Sequence, residues 1–169
     1  MKGFSVGLLL APVLALSLYA RDARTTANNE AQIRRLIDQW TKAFEARDLS
    51  EVMAIYAPGD QLIVYDVVPP LQYTGWDAYK RDFQRFFDQF EGPLQFEFHD
   101  LTVAAGPHLA FSYGLGRVSG RLRNGKKTEY WVRVTECYRK INGRWMIVHD
   151  HVSVPVDMAT KKAELNLAP

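Results

Sequence analysis

The chain has almost no cysteine. Cys137 is the single one among 169 residues, so no disulfide forms within the chain and burial of apolar surface has to hold the fold. It lacks a Lys/Arg-rich run, and its formal net charge is only +2, which removes the electrostatic footprint of a nucleic-acid binder. Internal repeats and low-complexity tracts are absent, which excludes a solenoid or a fibrous chain. A hydrophobic content of 47% is too high for a disordered segment and suits one ordinary domain with its own core.

The first twenty residues, MKGFSVGLLLAPVLALSLYA, differ from the rest. One lysine precedes an apolar run from about Gly7 to Leu18, then come Ala20 and the charged RDAR, the layout of a secretory signal peptide. The run is shorter than the roughly 20 apolar residues of a membrane span. Leu18 is a poor small residue three before a cut after Ala20, so the cleavage point stays open, with an uncleaved anchor as the alternative. The expectation is an exported protein, periplasmic or secreted, with no membrane contact once the leader is removed. Its parts are a leader over 1–20, a short linker over 21–28, a domain over 29–155 and a tail over 156–169 strapped across the surface.

Within the domain, Ile33, Leu36, Ile37, Trp40 and Phe44 recur at helical spacing, and Asn29 with Gln32 reads as a capping box that starts the helix. Asp48 with Glu51 repeats that signal before a second short helix carrying Leu49, Val52, Met53 and Tyr56. QLIVYDV alternates as a strand and ends at Pro69-Pro70. Thr74 and Asp77 read as caps of a third helix whose stripe is Trp76, Tyr79, Phe83, Phe86, Phe87 and Phe90, a lid packed on the core rather than a cofactor box. Four strands follow, over about 94–104, 108–122, 126–140 and 144–154, the last three joined by RNGK and INGR. Asn-Gly favours tight hairpins because both turn residues take positive φ. The fold class is α+β, three helices in all over one sheet face.

If each Asn-Gly turn is a two-residue loop, the register assigns the faces. Ser112, Gly114, Gly116, Arg133, Thr135, Cys137, Val148 and Asp150 share one face. Phe111, Tyr113, Leu115, Val134, Glu136, Tyr138, Ile147, His149 and His151 share the other. The first combines small and polar residues and suits a ligand pocket under the helices. The second is bulky and half-polar and suits a subunit interface. A His-x-His pair suits zinc only with a third ligand, which nothing marks, so no metal is expected; His149 is instead expected to hydrogen-bond Glu136. Asp150, opposite Thr135 and near Arg133, needs that arginine to stay charged.

The stretches LIDQWTKAFEARDLSEVMAIYAP, VYDVVPP, YTGWDAYKRDF, RVT and NGRWMIVHDHVSVP resemble the SnoaL-like branch of the nuclear transport factor two (ketosteroid isomerase-like) superfamily. Together they span nearly all of 33–155. The resemblance implies a conical fold, a curved mixed sheet wrapped around a long N-terminal helix with a small molecule in its open mouth. It also implies a homodimer through the outer sheet face and no cofactor. GRWMIVHDHVS further resembles the association domain of calcium/calmodulin-dependent kinase, a non-enzymatic relative.

Steroid isomerases of the superfamily keep a helix tyrosine, an aspartate base after the first strand and a second acid on the penultimate strand. Those places hold Trp40, Asp66 and Thr135, so only the base is retained and steroid isomerisation is disfavoured. Asp150 matches an acid position of the epoxide-hydrolysing relatives, which implies a group of Asp66, Arg133 and Asp150. Two functions stay open. One is an isomerase, lyase or epoxide-hydrolase type catalyst for a small, largely apolar carbonyl or hydroxyl compound. Asp66 is then the general base, Arg133 the oxyanion partner and Asp150 its orienter, within a wall of Trp40, Tyr56, Tyr65, Trp76 and Thr135. The other is a non-catalytic binding or oligomerisation domain that holds a small carboxylate or lipid-like molecule through Arg133. In either case Tyr113, Glu136, His149 and His151 fall to the interface.

Overall fold

Leu10 to Ala46 form one helix, α1, in the computed structural model, which describes residues 10–169 and side chains from Asp22 on. The leader read at 1–20 lies, for residues 1–9, outside the described residues. Residues 21–28, expected as a linker, continue the helix with exposed side chains from Asp22 onward. Asn29 is therefore no cap. It is 2% exposed, its Nδ2 donates to the Gly106 carbonyl at 2.8 Å, and its Oδ1 accepts from Lys140 Nζ at 3.2 Å. A buried amide on α1 thus pins the helix to the sheet instead of starting it.

From there α1 buries Ile33, Ile37, Trp40 and Phe44, a stripe at i, i+4, i+7 and i+11. Asp48 caps α2 (Leu49–Met53) through its Oδ1, which accepts from Glu51 N at 3.1 Å. A short 3-10 turn at Gly59–Gln61 leads into β1 (Ile63–Tyr65), and β2 (Tyr73–Thr74) pairs with it. α3 (Trp76–Phe87) starts at Gly75, not at a side-chain cap from Thr74 or Asp77. Gly75 sits at φ 89°, donates its N–H to the Leu62 carbonyl at 2.9 Å, and its added Cβ would stand 3.0 Å from Asp60 Oδ1.

Four long strands complete the sheet: β3 (Phe90–Ala105), β4 (Leu109–Leu122), β5 (Lys127–Ile141) and β6 (Arg144–Ser153). The order is β2-β1-β6-β5-β4-β3, antiparallel except for the parallel β1–β6 pair. β3 shifts register between Glu91 and Leu94 and again between His99 and Thr102, where Asp100 takes φ 53°. Bulges bend a strand and increase its twist, so the sheet curls around α1 without closing. Rings fill the space between: Phe96 meets Trp40 edge-on at 5.1 Å and Phe44 at 5.4 Å. The tail adds a small hairpin, β7 (Val156–Asp157) with β8 (Lys162–Ala163). Leu165 O then accepts from Trp131 N at 3.1 Å, a strap beside β5.

The two Asn-Gly turns are not alike. Ile141 pairs with Arg144, and Asn142 (φ 50°) and Gly143 (φ 79°) make the expected two-residue loop. The other loop has three residues, 123–125. Leu122 N donates to Lys126 O, Gly125 N donates to Leu122 O, and Gly125 alone takes positive φ. That extra residue moves β5 by one against β4, and a one-residue slip turns every side chain to the opposite face. Arg133 and Thr135 accordingly lie exposed on the outer face, while Val134, Glu136 and Tyr138 point inward. β6 carries a second departure. Tyr138 pairs with Ile147 but Cys137 with His149, so Val148 is an extra residue. Ile147 is fully buried and the bulge restores Asp150 to the inner face, with His149 and His151 outward.

Candidate active site

β1 alternates Leu62, Val64 and Asp66 toward the core, and its parallel pairing sets Val64 beside Asp150. β5 and β6 set Glu136 beside Asp150 as cross-strand partners. α3 lies over them with Tyr79, Asp82 and Phe83 buried. These elements enclose a cavity of about 340 Å³. Its walls are mainly Trp40, Phe44, Phe83, Phe96, Val132 and Val134; its polar groups include Asp66, Asp82, Arg85, Glu136 and Asp150.

Asp66 stands at the strand end, half-buried. Its Oδ1 accepts from Val67 N at 2.6 Å and its Oδ2 from Tyr79 OH at 3.1 Å. Burial raises its pKa above the usual carboxylate value, the Val67 N–H opposes this, and the Asp82 charge adds to it. Asp150 is deeper, 3% exposed. Its Oδ2 accepts from Tyr56 OH at 3.1 Å, and its buried Oδ1 has no partner among the described residues. Burial, then the charges of Glu136 and Asp66, hold its pKa well above the ordinary value. Burial likewise pushes the Tyr56 and Tyr79 hydroxyls far up, so both remain donors.

The cation at this site is not Arg133. Arg85 lines the cavity rim from α3, with Nη2 2.8 Å from Asp82 Oδ1, an oxygen that also accepts from Tyr73 OH at 2.7 Å. Of the expected site residues, Asp66, Asp150 and Trp40 line the cavity, with Tyr56 behind Asp150. Arg133 and Thr135 do not, because of the three-residue loop. Tyr65 is 40% exposed on the outer face, its ring 4.9 Å from His149 and 5.7 Å from His151. Trp76 lies outside the cavity lining and donates Nε1 to the Met53 carbonyl at 2.8 Å.

Glu136, expected at an interface, is 4% exposed within the cavity wall. It does not meet His149, whose Nδ1 donates to the Ile63 carbonyl at 2.9 Å. Tyr113 remains on the outer face, 48% exposed and stacked on Phe111, the face that the resemblance assigns to a subunit contact. Sequence reasoning missed Tyr79, Asp82 and Arg85 as site residues. The legible signal was an acid three residues after Tyr79, inside an aromatic stripe.

The SnoaL-like domain family matches over residues 33–157, most of the chain. The chain belongs to that family. A nuclear transport factor two-like protein of unknown function from Pseudomonas putida KT2440 is 33% identical, with a TM-score of 0.78, over 85% of this chain and 99% of that one. A putative scytalone dehydratase from Novosphingobium aromaticivorans is 15% identical, with a TM-score of 0.70, over 79% of this SnoaL-like chain and 89% of its own. A putative calcium/calmodulin-dependent protein kinase II association domain from Xanthomonas campestris is 23% identical, with a TM-score of 0.63, over 72% and 84%. The last two share the SnoaL-like chain's fold. No curated protein matches the sequence.

Proposed function

We propose that this SnoaL-like protein is an exported, cofactor-independent acid–base catalyst of isomerase, lyase or hydrolase type, acting on a small, largely apolar carbonyl or hydroxyl compound. One observation carries the reading: two carboxyls, the half-buried Asp66 and the buried Asp150, line one aromatic cavity with different hydrogen-bond partners. Asp66 has a backbone N–H and a tyrosine hydroxyl on its two oxygens, which favours its charged form. Asp150 has one donor and one unpartnered oxygen, which favours its protonated form. Carboxyls pushed apart in this way divide into base and acid.

Asp66 removes a proton from the carbon beside the carbonyl, or from an attacking hydroxyl or water. Asp150 donates a hydrogen bond, or its proton, to the oxygen where charge develops. The binding of small carboxylates loses its support, since Arg133 is outside and Arg85 is tied to Asp82.

The test is hydrogen–deuterium exchange at the activated α-carbon of 2-tetralone, a neutral bicyclic ketone, in D2O. Wild-type protein accelerates exchange over buffer, and Asp66→Asn lowers the rate by about 100-fold or more, the usual share of a general base. Equal rates for wild type, Asp66→Asn and buffer overturn the catalytic reading.

A further inference from the structure

The acid–base reading leaves two buried carboxyls aside: Asp82, which is tied to Arg85, and Glu136, which has no cation beside it. Glu136 and Asp150 are directly paired across β5 and β6, on the same face, both lining the cavity and both almost fully buried. Partners across an antiparallel pair bring their Cβ atoms to about 5 Å. At that separation in a site of low polarity two negative charges repel strongly, and one proton is retained.

The groups around the pair decide where the charge sits. Ser112 Oγ, from β4, donates to Glu136 Oε2 at 2.8 Å, and Tyr138 OH, from β5, donates to the same oxygen. Asp150 receives one hydroxyl, from Tyr56 behind α2. Tyr79 from α3 and Asp66 at the end of β1 also face Asp150, and Trp40 from α1 faces Tyr56. None of these is a cation, and Arg85 is held at the rim by Asp82.

We propose that Glu136 and Asp150 form a carboxyl pair with one proton and one negative charge, the charge on Glu136 and the proton on Asp150. Glu136 is thereby a positioning residue that keeps Asp150 an acid. The proposal rests on the acid role of Asp150 and deepens it. Ser112 and Tyr138 are the supports of that arrangement, anchoring the charge on the strand next to the acid. Burial raises the Glu136 carboxyl while those two hydrogen bonds lower it, and the Glu136 charge is the second cause, after burial, that lifts Asp150.

The experiment is a carbon-13 NMR titration of the full chain labelled at the Asp and Glu side-chain carboxyls, with Asp150→Asn and Glu136→Gln assigning the two signals. In wild type, Asp150 reads as protonated and Glu136 as ionised at neutral pH. In Glu136→Gln, which keeps an oxygen for Ser112 and Tyr138, the Asp150 midpoint falls by at least one pH unit. The reciprocal Asp150→Asn exchanges one neutral group for another, so Glu136 stays ionised at neutral pH and its midpoint does not fall. If Glu136→Gln does not fold, Glu136→Ala removes the same charge and takes its place. Ser112→Ala, which removes a donor and no charge, raises the Glu136 midpoint.

An Asp150 midpoint that ignores the loss of the Glu136 charge overturns the pair and leaves the acid assignment of Asp150 standing. An Asp150 that is ionised at neutral pH overturns the acid assignment itself.

Discussion

Asp150 concentrates the electrostatic cost of this fold. A carboxyl with a raised native pKa binds its proton more tightly in the folded than in the unfolded chain. Its contribution to stability is therefore full below the unfolded value of about 3.9 and declines as pH rises toward the native one. Asp150→Asn removes that decline. In urea unfolding the variant is expected to gain on wild type between pH 5 and pH 8, by about 1.4 kcal/mol for each pKa unit titrated in that window. A constant difference across that range would mean that Asp150 titrates normally in the fold. The same residue shows how a correct placement can come from an incorrect path. Two-residue loops put Asp150 inward together with Val148, whereas the chain puts it there by bulging at Val148 and burying Ile147 instead. Nothing in WMIVHDH distinguishes the two, because a β-branched valine suits a regular strand as well as a bulge.

At the scale of elements, what was legible followed from period and caps. The Ile33–Phe44 stripe, the Asp48 cap, the aromatic stripe of α3 from Trp76 to Phe87 and the four long strands are all present, whereas Phe90, expected on that helix, is the first residue of β3. The start of α1 was not legible, because Asn29 and Gln32 satisfy a capping pattern while Asn29 is in fact buried against Gly106 and Lys140. The length of the Asn124-Gly125 loop was not legible either. Asn-Gly fits a two-residue loop and also a three-residue loop with only glycine left-handed. That single ambiguity sent Arg133 and Thr135 into the expected site and Glu136 out of it. Small residues on β4 were read correctly as facing inward, and Gly116 shows why they are small. An added Cβ would lie 2.5 Å from Phe96 Cζ and 3.2 Å from Val132 Cγ2. Gly116→Ala is expected to cost about 1–3 kcal/mol by overpacking, measured by chemical unfolding. An unchanged midpoint would show that the Phe96 ring yields freely.

For the molecule as a whole, the curled sheet and the two-helix cover make a cavity whose walls are aromatic and whose polar groups are mainly acids. That composition selects against anions. The ligand proposed for it is accordingly an uncharged ring system with one oxygen to meet Asp150 and one acidic proton to meet Asp66. The family match and the fold of the relatives accommodate such a pocket without naming its ligand, because fold alone does not choose a chemistry. The charge of the ligand is thus the property that most directly separates an acid-lined pocket from an anion site. Isothermal titration of the full chain with 2-naphthol and with 2-naphthoate, which share the ring system but are neutral and anionic respectively at neutral pH, measures it. The neutral naphthol is expected to bind at least tenfold more tightly; equal or tighter binding of the carboxylate would overturn the neutral-ligand reading.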